Sequence, residues 1–335
     1  MGKIEYKAIF FAILAAALYA VSSPVSKLLL KEIPPTLMAS FLYLGAGLGM
    51  SVVDIIKQRK YAEKTEARLT KQELPYTLGM VLLDIAAPIF LMIGLTMASA
   101  ANVSLLNNFE IVATSLIALV IFKEPIGKRL WAAIFLITIS SIILSVEDIS
   151  SFSFSFGSIF VLLACTCWGL ENNCTRKLSG KDPLQVVIIK GFGSGIGSLI
   201  IALISGENIN IYYNISFIIA ALILGFFAYG LSIFFYIYAQ RDLGAAKTSA
   251  FYAVSPFIGV GLSLIIFREI PTPSFIAALS IMVAGMYFAS TEGHDYEHHH
   301  IAITDEQSHS HDDGHHRHVH KETIIGKMIA RLFDL

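Results

Sequence analysis

Histidine is absent from the first 293 residues of this 335-residue chain, and charged residues make up only 15% of it. The first absence removes the usual imidazole ligands and bases from most of the protein, and with them the common zinc-hydrolase and His-based catalytic patterns. The second excludes an ordinary soluble domain of this length, because 55% of the residues are hydrophobic. A net charge of −1 gives no electrostatic footprint for nucleic acid. Cysteine is nearly missing too: Cys165, Cys167 and Cys174 all fall in one apolar stretch. They lack a fourth ligand for zinc and read as small packing residues. No Ser/Lys or paired Asp motif sits in a catalytic context, so the chain is read as a non-enzyme.

What the chain does have is long apolar runs, and it has them twice. At roughly 20 residues per hydrocarbon crossing, ten spans fit, at about 8–30, 36–56, 75–98, 101–122, 128–146, 157–178, 184–205, 215–239, 246–267 and 273–290. The breaks carry Pro34-Pro35, the charged run 57–73, Pro125-Ile126-Gly127, Pro183, the Asn-rich loop 207–214, Pro271 and Pro273. Ser99 to Pro125 recurs as Gly244 to Ile270: Ala100, Ala101, Ser104, Phe122 and Glu124 map onto Ala245, Ala246, Ser249, Phe267 and Glu269 at an offset of 145. Gly45, Gly47 and Gly49 map onto Gly193, Gly195 and Gly197 at an offset of 148. Each copy has five spans, and an odd number inverts the second copy in the membrane, an architecture of secondary transporters. The expectation is an all-α membrane protein with ten transmembrane helices in two inverted repeats, 1–150 and 151–292.

Loop charge sets an orientation. With the N-terminus inside, sixteen Lys and Arg fall in cytoplasmic segments against Lys27, Lys31 and Arg268 outside, so both termini are expected in the cytoplasm. The first span follows Lys3 and Lys7 as a signal peptide would, but its repeat-mate is internal, and it reads as mature structure. The Gly45/Gly49 and Gly193/Gly197 pairs each share a helix face and read as close helix crossings.

Ionisable groups at membrane depth are costly and mark sites. Ser104, Asn107, Glu110 and Thr114 form one stripe of the fourth span, and their mates in the ninth are Ser249, Tyr252, Ser255 and Gly259. Both stripes are expected to line a central cavity, the alternative being hydrogen-bonding between helices. The sixth span carries Glu171, Asn172, Asn173 and Arg176, where the first has Ser22, Ser23 and Lys27 beside Pro24. Lys27 and Arg176 either serve the site or snorkel to headgroups. Asp84 lies mid-span in the third helix and Lys190 lies within the seventh, placed to snorkel or to neutralise a carboxylate. The expected substrate site is Asn107, Glu110, Glu171, Asn172, Tyr252, Ser104 and Ser255. The candidates for coupling to a proton gradient are Glu110, Glu171 and Asp84.

Together, Trp168-Gly169, the basic Lys27 and Arg176 ends, Ala100-Ala101-Asn102, Gly244-Ala245-Ala246-Lys247 and the Phe-Lys-Glu-Pro and Phe-Arg-Glu-Ile ends resemble the drug/metabolite transporter superfamily, in its ten-helix EamA-type branch. The first copy departs from it, with Tyr19-Ala20 in place of Trp-Gly. The resemblance implies two inverted five-helix halves around a cavity in a cell (plasma or inner) membrane. It also implies carriage of small metabolites, amino acids or drugs, often outward. Basic residues are too scattered to favour phosphorylated substrates. Oligomeric state is open between monomer and homodimer.

The tail, 293–320, holds all ten histidines: His294, His298, His299, His300, His309, His311, His315, His316, His318 and His320. Interleaved carboxylates suit zinc, nickel, cobalt or copper. A divalent-metal transporter or a metal-regulated membrane protein is therefore the alternative. No resident cofactor is expected beyond such tail-bound metal. Residues 321–335 read as an amphipathic helix on the inner leaflet.

Overall fold

The computed structural model describes residues 3–60, 67–123, 126–148, 153–178, 180–208, 211–243, 248 and 251–291. The His-rich tail, the amphipathic segment and the Gly244–Ser249 repeat motif, apart from residue 248, lie outside these.

Eight stretches are long and apolar enough to cross a membrane: Tyr6–Leu29, Pro35–Lys57, Lys71–Met97, Ala100–Ile121, Lys128–Ser145, Pro183–Ile204, Asn214–Ala239 and Pro273–Ser290. Two more helices complete the ten passes. Phe156–Arg176 has the length, but Glu171, Asn172 and Asn173 dilute its apolarity. Ser255–Phe267 is a shorter apolar helix, the second half of the ninth span. Leu82, Val120, Ile204 and Ile265 are exposed on the outside of the bundle, as lipid-facing side chains should be.

Four spans differ from the uninterrupted helices expected, the ninth turning at Ala253-Val254. The first turns at Val21, between Lys3–Ala20 and Ser22–Leu29. The fourth breaks at Asn107-Asn108, between Ala100–Leu106 and Phe109–Phe122. The eighth contains a π-helical turn, Phe226–Leu231, between Ile211–Gly225 and Ser232–Leu243. A further addition is a small antiparallel hairpin, Val146–Asp148 with Ser153–Phe154, in the loop joining the repeats.

The duplication is visible in the backbone. Among the described residues, the non-glycine positions with positive φ are Lys123 (55°) and Arg268 (53°), which are repeat-mates ending the fourth and ninth spans. A left-handed residue stops a helix by turning the chain. The break at Asn107-Asn108 likewise recurs as the turn at Ala253-Val254.

Both repeats pack into one compact unit. The second and seventh spans cross closely, as do the third and sixth, the fifth and tenth, and the first and eighth. A β-carbon at Gly45 would strike the Leu222 carbonyl, and one at Gly191 would strike the Gly47 backbone. These crossings are backbone to backbone, which only glycine permits, so packing accounts for this part of the glycine pattern.

Candidate functional site

The broken fourth and ninth spans meet the first span at a cleft lined by Tyr19, Ala20, Ser23, Ser104, Asn107, Ser255, Pro256 and Gly259. Its volume is about 10 Å³, room for about one water molecule. Irregular backbone at membrane depth occurs where it lines a cavity or is buried in protein. Here the break leaves Glu110 in the first turn of Phe109–Phe122 and Ser255 at the start of the other half-helix.

Three polar atoms facing this cleft are buried without a hydrogen-bond partner: Ser104 Oγ, Asn107 Oδ1 and Ser255 Oγ. Buried polar atoms are nearly always paired, so three such atoms lining one cleft make it the candidate site. Gly259 keeps the space open, because a β-carbon there would press on Ser104 Oγ and the Ala20 carbonyl.

Tyr19 in the cleft wall is backed by further aromatic rings. Tyr19 lies 6.0 Å from Tyr252 and 5.8 Å from Tyr229, centroid to centroid. Tyr252 also meets Tyr236 edge-on at 5.0 Å. Tyr229 accepts a hydrogen bond from Ser22 at 3.0 Å and lies 5.2 Å from the Tyr43 ring.

Beyond the cleft, Glu110 Oε1 accepts a 2.6 Å hydrogen bond from Asn172 Nδ2, which also reaches Thr114 Oγ1 at 3.4 Å. Asn173 anchors the same seam by donating to the Thr114 and Gly169 carbonyls. The close approach depends on Gly169, where a β-carbon would meet Ala113 and the Thr114 backbone.

Asp84, Glu171 and Lys190 form a buried ion cluster. Lys190 Nζ lies 2.9 Å from Asp84 Oδ2 and 3.0 Å from Glu171 Oε1. Tyr43 donates to Asp84 Oδ1 at 3.0 Å, and Thr175 donates to Glu171 Oε1. Asp84 is fully buried and Glu171 nearly so.

The expected site residues therefore divide. Ser104, Asn107 and Ser255 share the cleft, with Tyr252 against its Tyr19 wall. Glu110 and Asn172 pair with each other, and Glu171 joins Asp84 instead of the Asn172 pair. Lys190 does not snorkel; it sits between two carboxylates. Nor does Lys27, whose ammonium binds the Leu95 and Ala98 carbonyls at the end of the third span. Arg176 is exposed. Tyr43, Tyr229 and Pro256 were not among the expected residues. Ser23 was reachable through the duplication, as the mate of Asn172. Among the described residues, no three His, Cys, Asp or Glu side chains come together in a metal-holding arrangement.

Comparison with known proteins fits this geometry. The EamA-like transporter family model matches residues 6–146 and again 155–291, one match per repeat. An uncharacterized transporter of Methanothermobacter thermautotrophicus is 27% identical over 272 residues, covering 77% of this chain and 78% of that protein. The uncharacterized transporter YyaM of Bacillus subtilis is 22% identical over 205 residues, 59% of this chain and 67% of its own. One solved crystal structure superposes with a TM-score of 0.61 at 13% identity, over 84% of this chain and 95% of its own, a likeness of fold alone. The double family match, the paired helix breaks and the ten passes agree: this chain belongs to the EamA-like transporter family and is a multi-pass membrane transporter.

Proposed function

We propose that the protein carries a small polar organic solute, with amino acids and similar metabolites or drugs the first class to test. It works by alternating access around the cleft between the two repeats, driven by an ion gradient and running outward. The observation that carries this reading is the convergence of Ser104 Oγ, Asn107 Oδ1 and Ser255 Oγ, unpartnered and buried, on one small cavity. A solute with both donors and acceptors would satisfy these atoms and displace the water they would otherwise hold. The half-helix beginning at Ser255 adds a positive dipole end suited to a carboxylate. Asn107 Oδ1 supplies an acceptor suited to an amine.

The cleft admits little more than a water, so turnover requires the halves to rock apart around it. Glu110, Glu171 and Asp84 are the ionisable groups from which proton coupling would draw. Loop charge supports a cytoplasmic N-terminus in a cell membrane. The test is uptake of labelled amino acids into proteoliposomes under an imposed pH gradient. Uptake above protein-free vesicles that falls in Asn107→Ala supports the reading. Full gradient dependence retained in both Glu110→Gln and Glu171→Gln would remove the proton-coupling part, provided Asp84→Asn also retains it.

A further inference from the structure

The third and sixth spans are joined differently at their two ends. At one end their backbones touch: a β-carbon on Gly94 would strike Val161 and the Gly157 carbonyl, and one on Gly157 would strike Ala98. Towards the other end, where Gly79 packs on Cys174, the join also carries ions, through Asp84, Lys190 and Glu171. The third and seventh spans are held together independently there. Glu73 meets Lys181 at 3.0 Å, Gln185 accepts from the Leu69 amide, and the Asp182 amide donates to the Ala67 carbonyl. Glu171–Lys190 is therefore an ionic tie between the sixth span and an already coupled third–seventh pair.

The inverted repeat has no equivalent. Gly45 and Gly49 contact Leu222 and Phe226, while their mates Gly193 and Gly197 contact Val81 and Ile85, so an offset of 141 relates the third and eighth spans. That offset carries Asp84 to Gly225. Lys190 corresponds to Leu42, and Glu171 to Ser22. Gly225 is pressed onto the Leu42 carbonyl, and Ser22 donates to Tyr229. One half of the molecule is sealed by ions and its mirror half by close packing and a neutral hydroxyl pair.

We propose that Asp84 and Glu171 form a proton-binding site, separate from the substrate cleft, that unlocks only the face of the transporter on which they lie. Two carboxylates share one ammonium, leaving one excess negative charge where charge is costly. One proton bound to Glu171 cancels it and leaves Lys190 paired with Asp84 alone. The sixth span then loses this tie to the third–seventh pair and can swing about its glycine-packed end. The other groups around the pair are Tyr43 from the second span, Tyr229 beyond it on the eighth, Thr175, Cys174 and Cys167 on the sixth, and Glu110 on the fourth, reached through Asn172. Arg176 and Lys177 are exposed. This proposal rests on the alternating-access reading.

The test is hydrogen–deuterium exchange of the full chain in lipid nanodiscs, at mildly alkaline and mildly acidic pH, corrected for intrinsic exchange. Local opening of a seam appears as faster amide exchange. Acid should speed exchange several-fold around Asp84 and Glu171, leaving the segments around Ser22 and Gly225 unchanged. Glu171→Gln at alkaline pH should reproduce the acid pattern. Equal acceleration of both seams, or of neither, overturns the proposal. The wild-type comparison decides the matter even where the variant does not fold. Because no transport is measured, failure here leaves the transporter reading standing.

Discussion

Lys190 Nζ lies 2.9 Å from Asp84 Oδ2 within the bundle, while Glu171 approaches the same nitrogen at 3.0 Å. Removing the ammonium leaves two buried carboxylates without their cation. Lys190→Met is expected to destabilise the protein by about 3–5 kcal/mol. Adding Asp84→Asn to Lys190→Met removes one of the stranded charges and should recover part of the loss. Unfolding of the purified variants in detergent checks both the sign and the rescue.

The cleft residues should separate stability from function. Ser104 Oγ and Ser255 Oγ have no partner to lose. Ser255→Ala and Ser104→Ala should therefore leave stability within about 1 kcal/mol of wild type, or raise it slightly. Transport should fall, by about tenfold if the lost bond to solute is worth about 1.4 kcal/mol. Thermal unfolding alongside proteoliposome uptake measures the two effects together.

Gly259 can be tested by filling the space it leaves. Its repeat-mate Thr114 shows that the repeat carries a larger side chain elsewhere, but at Gly259 the added atoms would meet Ser104 and the Ala20 carbonyl. Gly259→Val should cost about 1–3 kcal/mol and abolish uptake even at saturating solute. Retained transport would show that the cleft is not the path.

At Gly225 the same change should act on folding instead. A β-carbon there would overlap the Leu42 backbone, which cannot move aside as a side chain can. Gly225→Leu is expected to fail to accumulate in membranes, whereas Gly180→Ala, with nothing within 4 Å of its added atom, should express like wild type. Membrane yield of the two proteins decides.

The repeats, the ten passes and the glycine crossings were legible because each is written in local pattern: apolar length, Gly spacing and a motif that recurs at fixed offset. The helix breaks at Asn107-Asn108 and at Val254 were not, because apolar residues continue on both sides and a span-length window averages over the turn. Ser104, Asn107 and Ser255 could be named from polarity at depth. The pairing of Lys190 with Asp84 and Glu171 could not, since three different helices supply them and only their crossing angles decide which charges meet. Lys27 stays open between site and headgroups in the sequence for a similar reason: its acceptors are carbonyls at the end of another span.

The most direct test of the central claim is uptake of labelled amino acids into proteoliposomes under a pH gradient, comparing wild type with Asn107→Ala and Ser255→Ala at equal folded protein. The expected result is gradient-dependent uptake by wild type that falls in both variants. Wild-type transport undiminished by either substitution would contradict the assignment of the cleft as the substrate site.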